Sequence, residues 1–159
     1  MDSCLYNDFH KYINAIHINK DYLQEDDLKN LSCLRSLYSR KEPKISIHDY
    51  IDKIMENIYK EDCHIDGIII NAIVLIKRLS QFLIINKYNI HRIVGSILML
   101  SQKIYDDLHY TNDSWAMICG VELDDINRME LDILKIIDFN TFIKREEMLA
   151  VTKSIKYLD

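Results

Sequence analysis

The sequence predicts an all-α domain, and three observations predict it. Apolar residues recur at helical spacing in nearly every segment, and no stretch alternates apolar and polar residues as a strand would. The chain holds one proline, Pro43, and three glycines, Gly67, Gly95 and Gly120. That is too few for the closely spaced turns of an all-β fold. Its 159 residues suit one domain, and 48% hydrophobic residues can fill a sizeable core.

Leu5, Phe9, Tyr12, Ile13 and Ile16 share one face and predict a first amphipathic helix. Residues 20–39 are more polar, although Leu28, Leu31, Leu34 and Tyr38 still fall on one helical face. The cluster QEDD at 24–27 reads as solvated surface. Pro43 ends this region. Ser46 is a good N-cap with Asp49 three residues on, as in a capping box, and Ile45 and Tyr50 occupy staple positions. A helix over about 47–60 follows. The stretch DCHIDGIIINAIVLIKRLSQFL predicts the next helix, capped by Asp62 and apolar on nearly every face, hence buried among others.

Asn89 is expected to cap the helix after that, with Tyr88 and Ile93 as its staple. Ile93, Ile97, Leu100, Ile104 and Leu108 form one apolar stripe on it, and Val94, Leu98 and Tyr105 a second. Two stripes mean packing on two sides, so this third helix is the expected hub. Gly95 and Ser96 would let a neighbour approach closely. Asn112 is expected to cap a short helix that stops at Gly120. A further helix spans about 123–138, and a last one follows Thr141 with Met148, Val151, Ile155 and Leu158 on one face. The expectation is a single domain over 1–159: a helical lead-in over 1–40, five helices around a central third one over 45–140, and a C-terminal helix over 141–159.

Composition narrows the function classes. The net charge is −5 with no basic stripe, so nucleic acid has no electrostatic footprint. Cys4, Cys33, Cys63 and Cys119 form no CxxC pair and suit reduced thiols of an intracellular protein. The start MDSCLYNDFHKYINAI is acidic and interrupted, unlike a signal peptide. The longest apolar run, GIIINAIVLI at 67–76, is broken by Asn71 and is too short to span a bilayer. The expected setting is intracellular, in cytoplasm or nucleus, with no membrane partner.

Asp62, Cys63, His64 and Asp66 lie close in sequence, but on a helix their side chains diverge, and no metal is expected. His48, His91 and His109 fall in first turns or loops and are expected to be solvated or capping. No Gly-rich phosphate loop, GxSxG elbow or HExxH occurs. No catalytic residue, cofactor or small-molecule substrate is expected. Lys103 and Glu130 remain. Glu130 is nested among Ile126, Ile133 and Leu134, where a carboxylate needs a partner. Lys103 follows Met99 and Leu100, and it could snorkel or pair with Asp107 at i+4.

The segments LYSRKEPKISIHDYIDKI and INKYNIHRIVGSILMLSQKIYDDLHYTNDSWAMICGVELDDINRMELDILKIIDFN resemble the cyclin box, and specifically that of the P-type (P/U) cyclins. The likeness runs over about residues 37–143 and follows the family's order of small features. The resemblance implies a non-catalytic regulatory subunit that forms a heterodimer with a cyclin-dependent kinase and activates it by positioning the kinase αC helix. It aligns Lys103 and Glu130 with the box lysine and glutamate that reach the kinase main chain. Asp106 and Asp107 are expected to accept from backbone N–H groups of the turn LHYTND or of the helix that Asn112 begins, and so to steady Lys103. Lys103 and Glu130 fall on different helices, and nothing in the sequence predicts contact between them.

Three departures from the family stand out. Lys77, in LIKR, occupies the place of an aspartate in the family's Y-I-D-R motif, and the first box helix offers no matching arginine. The internal salt bridge of many cyclins is therefore expected to be missing. The Met-Arg-x-x-Leu pattern for docking substrates is absent from that helix, and Cys119 replaces the second glycine before Val121. Three other functions compete: a cyclin-fold scaffold without kinase activation, a transcription-machinery module, and a small helical metalloenzyme. A short acidic chain counts against the second.

Overall fold

A computed structural model describes residues 4–18, 32–58 and 65–155. Among these there are seven α-helices and no strand. Helix α1 spans Cys4–Ile18, and a 3-10 turn spans Ser32–Leu37. Then follow α2 (Ile47–Ile58), α3 (Ile65–Leu79), α4 (Ile90–Tyr105), α5 (Asn112–Cys119), α6 (Leu123–Ile136) and α7 (Arg145–Ile155). The expectations for 24–27, Leu28, Leu31, Asp62, Cys63, His64 and Leu158 lie outside the described residues, as does the side chain of Leu34.

Helix α4 is the hub, packed on α2, α3, α5 and α6. All its residues from Ile93 to Gln102 are buried, as a helix enclosed on every side requires. The first apolar stripe stops earlier than expected, because Ile104 is exposed and Leu108 is 89% exposed. The cause is local: α4 ends at Tyr105, and Asp106 turns to extended backbone at φ −105°, ψ 127°. Gly95 permits the close approach expected of it. A Cβ there would lie 2.7 Å from the Tyr50 hydroxyl of α2 and 2.9 Å from the Cys119 Sγ of α5.

Helix α3 packs on α4, α7 and α1, which explains its nearly continuous apolar surface. It stops at Leu79, and 80–83 form turns rather than more helix. Phe9 and Ile13 of α1 are fully buried, as their spacing predicts. The 3-10 turn is bound to the box by polar bonds. Arg92 donates to Ser36 O at 2.7 Å and to Asp125 Oδ2 at 3.1 Å, while Ser36 Oγ donates to Asp132 Oδ2 at 2.6 Å. Leu37 is the apolar anchor of that turn.

The caps are partly as expected. Ser46 Oγ accepts from Asp49 N at 3.1 Å, but the Asp49 carboxylate accepts from the Ser46 hydroxyl, so the box is closed through side chains. Gly120 ends α5 in the left-handed region, φ 69° and ψ 40°. Asn89 differs: its carbonyl accepts from Ile93 N, but its side chain turns back into the preceding loop. There it accepts from Asn86 N at 2.8 Å and donates to Ile84 O at 2.9 Å. Among the described residues no helix is long and apolar enough to cross a membrane.

Candidate functional site

Lys103 sits on the last turn of α4, where a cation is favoured by the helix dipole. Glu130 lies midway along α6, beside the stripe Leu123, Asn127 and Leu131. Asn112 is the first residue of α5. The fold brings these three helix positions together. Lys103 Nζ is 2.6 Å from Glu130 Oε1 and 2.5 Å from Asn112 Oδ1. Asn112 Nδ2 donates to Glu130 Oε2 at 2.7 Å and to Asn127 Oδ1 at 2.7 Å. An amide suits this bridging place because one end accepts and the other donates. The lysine and glutamate side chains remain 23% and 18% exposed, so they are neither core nor open surface.

This corrects three expectations. Lys103 and Glu130 do interact in the chain itself, and Asp107 is not the lysine's partner. Asn112 is not the cap of α5; Thr111 is, its Oγ1 accepting from Ser114 N at 3.3 Å. A threonine one place earlier caps as readily, and it leaves the Asn112 amide available for the cluster. Asp106 and Asp107 accept no hydrogen bond from the turn. Gln102 does that work instead: its Oε1 accepts from Tyr110 N at 3.3 Å and from the buried Trp115 Nε1 at 3.0 Å. A neutral amide holds the turn where the α4 C-terminus opposes anions. Nothing in the apolar pattern marked Gln102, because it lies inside the buried run.

Exposed apolar side chains flank the ion pair along the chain: Ile104, Leu108, Leu123 and Leu131. Lys77, set by the resemblance at the family's aspartate, is exposed. The neighbouring Arg78, which the sequence reading passed over, is the residue in use. It donates to Asn140 O at 2.5 Å and Phe142 O at 3.0 Å, and to both Glu147 oxygens at 2.9 and 2.8 Å. It thereby fastens α7 to the end of α3. The hydrogen bond from Arg78, and then the Lys144 backbone N–H, hold the Glu147 carboxyl below its ordinary value.

Two of the histidines, His48 and His91, differ from expectation: the His91 ring packs on Tyr50 with its Nδ1 buried. His48 is not merely solvated: its ring meets that of His10 of α1 edge to edge, with the two planes 16° from parallel and the Nδ1 atoms facing each other. His91 Nε2 donates to Ile45 O at 2.9 Å, and His109 is exposed. Burial pushes the Cys119 thiol up to about 11, which keeps it protonated and inert. Among the described residues no three His, Cys, Asp or Glu side chains are grouped to hold a metal ion.

Five helices, α2 to α6 with α4 as their buried hub, make a cyclin box, and the comparison with family models agrees. The family described as Cyclin matches residues 11–141, and the chain belongs to the cyclin family. Its box is of the P/U type. The chain is 32% identical over 113 residues to Cyclin-U1-1 of Arabidopsis thaliana, covering 69% of this chain and 52% of that protein. It is 30% identical over 129 residues to PHO85 cyclin-like protein psl1 of Schizosaccharomyces pombe, covering 80% and 52%. To PHO85 cyclin-7 of Saccharomyces cerevisiae it is 25% identical over 138 residues, covering 78% and 46%. The chain thus spans about half the length of these curated relatives.

Proposed function

We propose that this chain is the non-catalytic regulatory subunit of a cyclin-dependent kinase, which it activates by holding the kinase αC helix in its inward position. One observation carries the reading: the Cyclin family match extends over 11–141, and within it lies the part-exposed Lys103–Glu130 pair, which the box resemblance aligns with the family's kinase-facing lysine and glutamate. The relatives whose names include PHO85 cyclin support a kinase partner of that class. The single-domain organisation, with the box over about 45–140, belongs to the same reading.

The chemistry of the pair suits the role. An ammonium has three N–H donors, and Lys103 uses two within the chain. The third is left for a main-chain carbonyl of a partner. Each Glu130 oxygen accepts once within the chain and retains a second lone pair. Because Asn112 and the pair fix one another, both side chains are already ordered, and docking costs little rotamer entropy. Leu123, Leu131 and Ile104 provide apolar area, and the charges set the register.

The mechanism is population shift. A surface that binds only the inward αC arrangement favours the kinase state whose Lys–Glu pair orients ATP. The chain itself performs no bond-making step. The test is to purify the chain, combine it with each cyclin-dependent kinase of its source organism, and measure binding and phosphotransfer. The expected result is no phosphotransfer by the chain alone and raised activity of one kinase. ATP turnover by the chain alone, or no activation of any kinase, overturns the reading; binding without activation would make it a scaffold.

A further inference from the structure

His10 of α1 and His48 of α2 face each other with their Nδ1 atoms 2.6 Å apart and their rings 16° from parallel. The other nitrogen of each ring is also engaged. His10 Nε2 lies 3.0 Å from Asp52 Oδ1, and His48 Nε2 lies 2.7 Å from Asn14 Oδ1. Tyr6 donates its hydroxyl proton to the same Asp52 oxygen. This chain of bonds joins the helix that precedes the box to the first box helix.

The protons can be counted. A carboxylate and an amide oxygen only accept, so both Nε2 atoms carry hydrogen. Two nitrogen lone pairs cannot face each other at 2.6 Å without a hydrogen between them, so one Nδ1 carries one too. That makes three protons on four ring nitrogens, one more than two neutral imidazoles hold. A fourth does not fit, because two N–H groups would then collide. Asp52 supplies the counter-charge for the extra proton. A metal ion is a poorer occupant: with bonds of about 2.0 Å to each nitrogen, it would hold them roughly 3.3 Å apart in tetrahedral geometry.

We propose that α1 is clamped to α2 by a single proton shared between His10 Nδ1 and His48 Nδ1, and that a second proton, taken up on acidification, opens the clamp and loosens α1. Burial holds His10 below its ordinary value of 6.5; Asp52 pulls it up, and His48 reinforces the lowering. A group so depressed contributes stability that is complete above about pH 6.5 and is lost as pH falls through the folded value. The charged groups facing the clamp are these: from α2, His48 and Asp52 act on His10, and Glu56 acts on Tyr6. Asp49 of α2 is bound to Ser46, and Lys53 is exposed. Asp8 and Lys11 flank His10 on α1. From α3 and α7, the other helices packed on α1, no described charged group acts on His10. Phe9 and Ile13 stay buried, so α1 remains seated and only opens more often.

The experiment follows the imidazole nitrogens of the whole 15N-labelled chain by NMR, in chelator, from about pH 7.5 to about pH 5. The expected result at the upper end is three protons on the four ring nitrogens: both Nε2 atoms protonated and one proton shared between the two Nδ1 atoms. On acidification the pair takes up a fourth proton, and hydrogen exchange of α1, corrected for intrinsic rate, rises about tenfold relative to α4. In His48→Gln the amide can turn to donate or accept, so α1 should lose this pH dependence. Two neutral rings at the upper pH, reached by turning the Asn14 amide over, would overturn the proposal. So would a pair whose signals change on adding zinc in place of a proton. Persistent pH dependence in His48→Gln would also overturn it. Should that variant fail to fold, the wild-type nitrogen signals decide alone.

Discussion

Lys103 Nζ lies 2.6 Å from Glu130 Oε1, across two helices and twenty-seven residues of sequence. The pair is both an internal tie and the proposed docking point, and the two roles are separable by measurement. Lys103→Ala should cost about 1–3 kcal/mol of monomer stability, because Glu130 and Asn112 lose a charged donor. It should also cost about 2–5 kcal/mol of kinase affinity. In a double-mutant cycle with Glu130→Ala, stability should show a coupling of about 0.5–3 kcal/mol. Coupling in stability with unchanged kinase binding would reduce the pair to a structural tie and sink the docking role.

Arg78→Ala should free α7. The guanidinium makes four hydrogen bonds to the α6–α7 linker and Glu147, and the change should cost about 1–3 kcal/mol, read by chemical denaturation. Hydrogen exchange should rise in α7 before it rises in α4. Equal protection throughout would mean that apolar contacts of Val151 and Ile155 hold α7 unaided.

The same clamp carries a pH dependence. Glu147 is held below the ordinary carboxylate value of 4.5, first by the Arg78 hydrogen bond. A depressed carboxyl contributes stability above that value and loses it as pH falls through the folded one. Thermal melting should therefore fall below about pH 4.5 more steeply in the wild type than in Glu147→Gln. Parallel curves would show that Arg78 does not perturb the group.

Two glycine substitutions should destabilise for different reasons. Gly95→Ala drives a methyl group to 2.7 Å from the Tyr50 hydroxyl and 2.9 Å from Cys119 Sγ, both in the core. Overpacking of about 1–3 kcal/mol should outweigh the better helix propensity of alanine. Gly120→Ala meets nothing within 4 Å, yet its φ of 69° costs a side chain about 1–2 kcal/mol. Serine at Cys119 should relieve little of the Gly95→Ala loss, because the Tyr50 ring end is rigid. A neutral or raised melting temperature for Gly95→Ala would contradict the packing described.

Trp115→Phe tests the turn after α4. It keeps an aromatic ring in the core but removes the N–H that Gln102 Oε1 accepts at 3.0 Å. About 1–3 kcal/mol should be lost, seen as a lower denaturation midpoint at unchanged slope. If the turn depends on this bond, amide exchange at Tyr110 should also rise. A change confined to the midpoint would assign the loss to packing alone.

The all-α class, the helices α1, α2, α4 and α6, and the C-cap at Gly120 follow from the sequence by itself. Each depends on residues within a turn or two of one another, so periodicity and caps report it directly. Two apolar stripes likewise marked α4 as the hub. The box likeness added Lys103 and Glu130, because ordered motifs survive where single residues mean little. Only the tertiary structure decided that those two meet, that Asn112 bridges them while Thr111 caps, and that Asn89 turns back to its loop. It alone joined Arg78 to Glu147 and His10 to His48, at separations of 69 and 38 residues. Such pairs depend on where helices cross and how their faces are rotated. Helical periodicity says which face is apolar, but not which polar residue at its edge will find a partner on the next helix.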